Sequence, residues 1–127
     1  MKKISTPNAP KPAGHYSQAI ENNGIVYVSG QLPINPKSKE KKVGSIEEQT
    51  EQVLSNLSEI LEAANSSINQ VLKVTIYISD ISLWDQVNKT YARIFGAHRP
   101  ARAVIPTRDL HFGFQIEIDA IATVKNY

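Results

Sequence analysis

Two ionisable residues stand where a strand would rather have none. Arg102 lies within Pro100-Ala101-Arg102-Ala103-Val104-Ile105-Pro106, and Glu117 within Gln115-Ile116-Glu117-Ile118-Asp119-Ala120-Ile121-Ala122. Both runs are rich in the β-branched and small apolar residues of half-buried strands, where an unpaired charge is expensive. If the two strands form a hairpin centred between Asp109 and Leu110, Arg102 falls directly opposite Glu117 on one face of the sheet. That pairing supports two interpretations. One is a structural salt bridge. In the other, the planar guanidinium offers its donors to a substrate carboxylate while the glutamate positions or deprotonates a water. If the strands are not neighbours, the register reasoning lapses.

The elements that must hold these residues are legible from pattern. Asn22-Asn23-Gly24 is a strong turn signal between two strand-like runs, and the second, Ile25-Val26-Tyr27-Val28, ends in Ser29-Gly30-Gln31, where glycine permits close backbone approach. Pattern alone makes Ser29-Gly30-Gln31 a bulge or strand end, and Tyr16 a sheet aromatic with its hydroxyl satisfied. Ser45 with Glu48 forms a capping box for a helix whose stripe is Val53, Leu54, Leu57, Ile60, Leu61 and Ala64, with Asn65 at its stop. From Val71 to Ile78 the period is two, which predicts Leu72, Val74, Ile76 and Ile78 on one face and Lys73, Thr75 and Tyr77 on the other. Ser82 with Asp85 predicts the cap of a second helix that buries Trp84, Val87, Tyr91, Ile94 and Phe95 and stops at Gly96. Asn88 lies one residue off that stripe and has no role on pattern alone.

These elements predict an α+β fold with a single mixed sheet of five or six strands and two helices packed on one face. The other face, with Tyr77, Gln115, Glu117, Asp119, Ile121 and Thr123, is too apolar to be simply wet and too polar for a core, which suits a subunit interface containing pockets.

The 127 residues are expected to form a single domain over 1–127. A net charge of +2 from 14 basic and 12 acidic residues, with lysines gathered at the N-terminus and in a loop over Lys37 to Lys42, is no nucleic-acid footprint. Zero cysteines exclude disulfides, thiol chemistry and iron–sulfur clusters. His15, His98 and His111 are scattered without metal-binding spacing, so no metal site is expected. No apolar stretch approaches the ~18 residues of a membrane span, and no signal-peptide pattern opens the chain, so cytoplasmic placement is expected. Without an apparent activated nucleophile, water attack fits better than covalent catalysis.

From Thr6 to Val124 the chain resembles the Rid family of reactive imine deaminases, also called YjgF-like proteins. The resemblance rests on Gly14-His15-Tyr16-Ser17-Gln18, Val28-Ser29-Gly30-Gln31-Leu32-Pro33, Val87-Asn88-Lys89-Thr90-Tyr91, Pro100-Ala101-Arg102 and Ile116-Glu117-Ile118-Asp119-Ala120. It implies a chorismate-mutase-like fold, assembled as a homotrimer with intersubunit clefts. The implied activity is cofactor-free hydrolysis of 2-imino acids, such as 2-iminobutanoate and 2-iminopropanoate, to 2-oxo acids and ammonia. Arg102 matches the family's carboxylate-binding arginine and Glu117 its water-positioning acid; Tyr16, Gly30 and Asn88 match residues lining the cleft, and Val104 a position giving backbone contacts. His15 departs from the family's usual proline, Pro106 and His111 from its Glu and Pro, and Ala103 lacks a common hydroxyl. These departures leave the pocket edge and the substrate range open. Competing functions are a non-catalytic trimer binding 2-oxo or amino acids and, weakest on charge, a ribonuclease.

Overall fold

Turn chemistry sets the first part of the sheet. The computed structural model describes residues 1–41 and 43–126, so Lys42 of the expected loop and Tyr127 at the end of the expected domain lie outside the described residues. Asn23 and Gly24 both take positive φ, 52° and 79°, as a tight two-residue hairpin turn requires. They join β2 (Ala19–Asn22) to β3 (Ile25–Gln31), with Asn22 opposite Ile25. β1 (Lys2–Ile4) adds an outer antiparallel strand.

α1 (Ile46–Ala63) begins with the expected capping box, the Glu48 amide donating to Ser45 Oγ at 3.1 Å and the Ser45 amide to Glu48 Oε1 at 3.5 Å. Its stripe from Val53 to Ala64 is buried, each large aliphatic side chain contributing about 1.5–3 kcal/mol. Asn65 turns the chain at φ 58°. β4 (Val71–Ile78) alternates as expected from Val74 onward, but a register shift between Val71 and Lys73 puts Val71 in the core and leaves Leu72 48% exposed. The extra residue of a bulge reverses the parity on one side of it, which a strict period of two cannot anticipate.

α2 (Trp84–Phe95) buries Val87, Tyr91 and Phe95 and ends at Gly96, with φ 64°. The Ser82 and Asp85 cap does not form. Asp80 instead accepts from the Ser82 amide at 2.8 Å and caps a 3-10 turn over Ile81–Leu83, which feeds straight into the helix. α2 is the return crossover between β4 and β5 (Ala101–Pro106), which pair in parallel.

β6 (Ile116–Thr123) then runs antiparallel between β3 and β4, giving the order β1-β2-β3-β6-β4-β5. The result is the expected single mixed sheet, six-stranded, with both helices on one face. The Arg102 and Glu117 strands are not a hairpin, because β4 lies between them, so the register reasoning that depended on their being neighbours lapses. β5, bounded by Pro100 and Pro106, suits a sheet edge, whereas β6 buries alternate residues and has a partner on each side.

Candidate active site

Register determines which face each charged residue occupies. Arg102 pairs with Val74, a core residue, so its side chain shares the helix-covered face. Glu117 pairs with Tyr77 and shares the opposite, open face. Within one chain their strands are two spacings apart, near 10 Å, Glu117 lies three residues further along the sheet, and the two point to opposite sides of it.

Arg102 is gripped by one side of α2. Trp84, Asn88 and Tyr91 follow one another at helical spacing, so they form a row. The guanidinium Nη1 donates to Asn88 Oδ1 at 2.9 Å, and its Cζ lies 5.5 Å from the Trp84 ring centre and 4.8 Å from that of Tyr91. Asn88, off the apolar stripe, is therefore on the arginine's side of the helix. His98 Nε2 lies 2.7 Å from the Val71 carbonyl oxygen and anchors the loop leading into β5. Among the described residues no carboxylate pairs with Arg102, so the structural salt bridge with Glu117 does not exist within the chain. Arg102, Asn88 and Tyr91 line a cavity of about 450 Å³. A guanidinium bracketed by neutral groups, with most of its donors unused, is a site for an anion.

The Tyr91 hydroxyl is buried without a hydrogen-bond partner among the described residues. Burial raises its pKa to about 12, against a smaller opposing pull from Arg102. Val104 is half-buried and packs against the core, in register with Ile76 on the face it shares with Arg102.

The second cavity is built around the bulge at Ser29-Gly30. Pairing jumps from Val28–Ala120 to Gln31–Ile118, so an extra residue of β3 arches beside Glu117. A Cβ on Gly30 would overlap Glu117 Oε2 and sit 3.2 Å from Cδ. Glycine is thus required by close approach of the carboxylate, joining the bulge and cleft interpretations of this segment. Gln18, buried, accepts from the Thr6 amide and donates to the Thr6 and Pro10 carbonyl oxygens, while Ser29 Oγ donates to the Ser17 carbonyl oxygen. These bonds fix the proline-rich lead-in and the Tyr16 loop beside the bulge. Tyr16 stays 51% exposed, its hydroxyl accepting only a 3.3 Å bond from the Ala13 amide. Tyr16, Gly30, Glu117, His111 and Phe112 line a cavity of about 470 Å³.

Burial, and then the neighbouring Asp119, push the Glu117 carboxyl above its ordinary value of 4.5, while His111 pulls it down. The group that opposes the rise is therefore His111, not Arg102. Tyr77 donates to Asp119 at 3.2 Å, and burial followed by Asp119 raises its own pKa. A carboxyl held toward its neutral form is a suitable base for a water once it ionises.

The match to known proteins is extensive. The family model for endoribonuclease L-PSP matches residues 6–124. A RutC family protein of Pyrococcus horikoshii is 47% identical over 119 residues, 94% of each chain. Reactive Intermediate Deaminase A, chloroplastic, of Arabidopsis thaliana is 41% identical over 95% of this chain and 65% of its own. The chain belongs to the Rid family. The crystal structure of E. coli TdcF with bound serine superposes with a TM-score of 0.92 at 30% identity, covering 97% of this chain and 98% of that one.

Of the residues singled out for this Rid protein, Arg102 and Asn88 gather at one cavity, and Tyr16, Gly30 and Glu117 at another. His15 is not among the residues lining either cavity; His111 is. Sequence reasoning missed Trp84 and Tyr91 as the bracket of the arginine, although their spacing from Asn88 was visible. It also missed Gln18 as the fastener of the Tyr16 loop, for which a lone glutamine gives no signal.

Proposed function

We propose that this Rid protein hydrolyses 2-imino acids such as 2-iminobutanoate and 2-iminopropanoate to 2-oxo acids and ammonia without a cofactor, in clefts between the subunits of a homotrimer. The observation that carries the proposal is the Arg102 guanidinium, held by Asn88 and two aromatic rings and opening on a cavity with no carboxylate among the described residues to neutralise it. Because Arg102 and Glu117 occupy opposite faces, a site using both needs the open face of one copy against the β5 edge of another. Arg102 then anchors the substrate carboxylate, Asn88 orients the arginine, and Val104 contributes backbone contacts. From the neighbouring copy, Glu117 orients and deprotonates water above Gly30, and Tyr16 closes the wall. An imine carbon is already electrophilic once protonated, so positioning alone supplies several kcal/mol. Cytoplasmic placement and the absence of a nucleic-acid partner belong to the same proposal.

The test generates the imine in situ with an amino-acid oxidase and follows its semicarbazide adduct. Losing the guanidinium contact in Arg102→Ala should cost roughly 2–4 kcal/mol of transition-state binding. Wild-type protein no faster than that variant refutes the proposal. The serine named with E. coli TdcF supports a second reading, a trimer that only binds α-amino or 2-oxo acids; 2-oxobutanoate binding by calorimetry without imine turnover would select it. The ribonuclease in the family model's description finds no basic stripe here to carry it.

A further inference from the structure

Two titratable side chains in the Glu117 cavity, Lys11 and His111, have no part in the chemistry above, and His111 is the one that acts on Glu117. His111 opens a short turn, His111–Gly113, and lines the same cavity of about 470 Å³ as Glu117, Tyr16 and Gly30. The turn is held at some conformational cost. Phe112 adopts φ 60° and ψ 17°, a region a bulky aromatic residue rarely visits, and such strain persists where the surroundings enforce it. Those surroundings are visible. Phe114 is buried directly after the turn and its amide donates to the His111 carbonyl oxygen at 3.2 Å, while the Gln115 amide donates to Gln49 Oε1 at 2.8 Å. The His111 ring rests against that of Phe112, with centres 5.2 Å apart.

We infer that His111 and Glu117 work as one acid–base pair across this cavity. The inference rests on the hydrolysis proposed above and gives it a second proton carrier. Water loses a proton to the Glu117 carboxylate as its oxygen bonds to the imine carbon. The π pair moves to nitrogen, which takes a proton from the His111 imidazolium and leaves a carbinolamine. The carbinolamine hydroxyl then gives its proton to His111, the C–N bond breaks, and nitrogen departs as ammonia with the proton held by Glu117. Both side chains return to their starting forms, and the sum is imine plus water to 2-oxo acid plus ammonia. Imidazole is suited to this exchange because its ordinary titration falls close to neutral pH. The other groups facing Glu117 cannot share the task equally. Asp119 repels a second negative charge and is bonded to Tyr77, a phenol whose pKa burial and then Asp119 push above its ordinary value. Lys11, also on the cavity wall, carries an ammonium, which has donors but no acceptor.

The test compares wild type, His111→Gln and His111→Lys in the full chain. The Glu117 carboxyl is titrated by carbon NMR, and imine hydrolysis is measured against pH. His111→Gln should move the Glu117 titration upward and lower kcat roughly 100-fold, the scale of one general acid. His111→Lys should restore the carboxyl titration through its charge but not the rate near neutrality, a split that a purely structural histidine would not produce. An unmoved Glu117 titration in His111→Gln, or an unchanged pH–rate profile, overturns the pair. If wild type turns over no imine, the hydrolysis reading fails; the carboxyl titration alone then decides whether the two groups are coupled.

Discussion

Replacing Gly30 by alanine separates a demand of the fold from a demand of the site. The φ of Gly30 lies outside the left-handed region, which holds Gly24, Gly96 and Gly113 among the glycines, so alanine brings no backbone strain. Its Cβ would overlap Glu117 Oε2 and lie 3.2 Å from Cδ. The obstructing atoms are the far end of a flexible side chain, so the carboxylate swings away and little else moves. Overpacking of about 1 kcal/mol is offset by the 0.4–1 kcal/mol that a Gly→Ala change returns by restricting the unfolded chain. Net stability should thus change by less than about 1 kcal/mol, some 4 °C in Tm for a domain of this size. The carboxylate proposed to orient water, however, is displaced by about 1 Å or more, which is enough to lose roughly 100-fold in rate. The assay pairs thermal unfolding with kcat/KM for imine hydrolysis. Full activity in a normally folded Gly30→Ala protein would refute the idea that Glu117 acts from this position. A collapse in Tm would refute the flexibility reasoning.

Asn88→Ala removes the side-chain hydrogen bond to Arg102 but leaves the aromatic bracket. It should weaken binding of the substrate carboxylate by about 1.5–3 kcal/mol, seen mainly in KM, and an unchanged KM would contradict the orienting role. Tyr91→Phe deletes a buried hydroxyl with no partner among the described residues. Tm should therefore stay the same or rise, whereas a fall beyond about 1 kcal/mol would mean the hydroxyl is satisfied in solution. Glu117 has a folded pKa above its unfolded one, so its contribution to stability is fully present below the ordinary glutamate range and is lost as pH rises through the folded value. Glu117→Gln, which cannot ionise, should accordingly be more stable than wild type at neutral pH, with the gain disappearing on acidification. A gain that grows toward acid would reverse the assigned cause.

How far the sequence reaches is clear from particular residues. The Ser45 capping box, the stripe from Val53 to Ala64 and the Asn23-Gly24 turn are local signals, and each element formed where its own residues placed it. Strand order is not local. Nothing in the β5 and β6 runs says that β4 will lie between them, so the facing of Arg102 and Glu117 could be stated only for the case of a hairpin, which does not form. Leu72 was misplaced because a bulge reverses parity without a sequence signature. The candidate site residues themselves were readable as types, an arginine and a glutamate at odds with their apolar strands. Their separation into two halves was not, because it depends on which face of the finished sheet each one occupies.

The most direct test of the proposal that two copies complete one site mixes two inactive proteins. Arg102→Ala and Glu117→Gln are unfolded together, refolded at equal concentration and assayed for imine hydrolysis beside each variant alone. If the arginine of one subunit works with the glutamate of its neighbour, random assembly regenerates about a quarter of the wild-type sites. Mixed protein as inactive as its parents, with exchange of subunits verified by mass, would contradict the account.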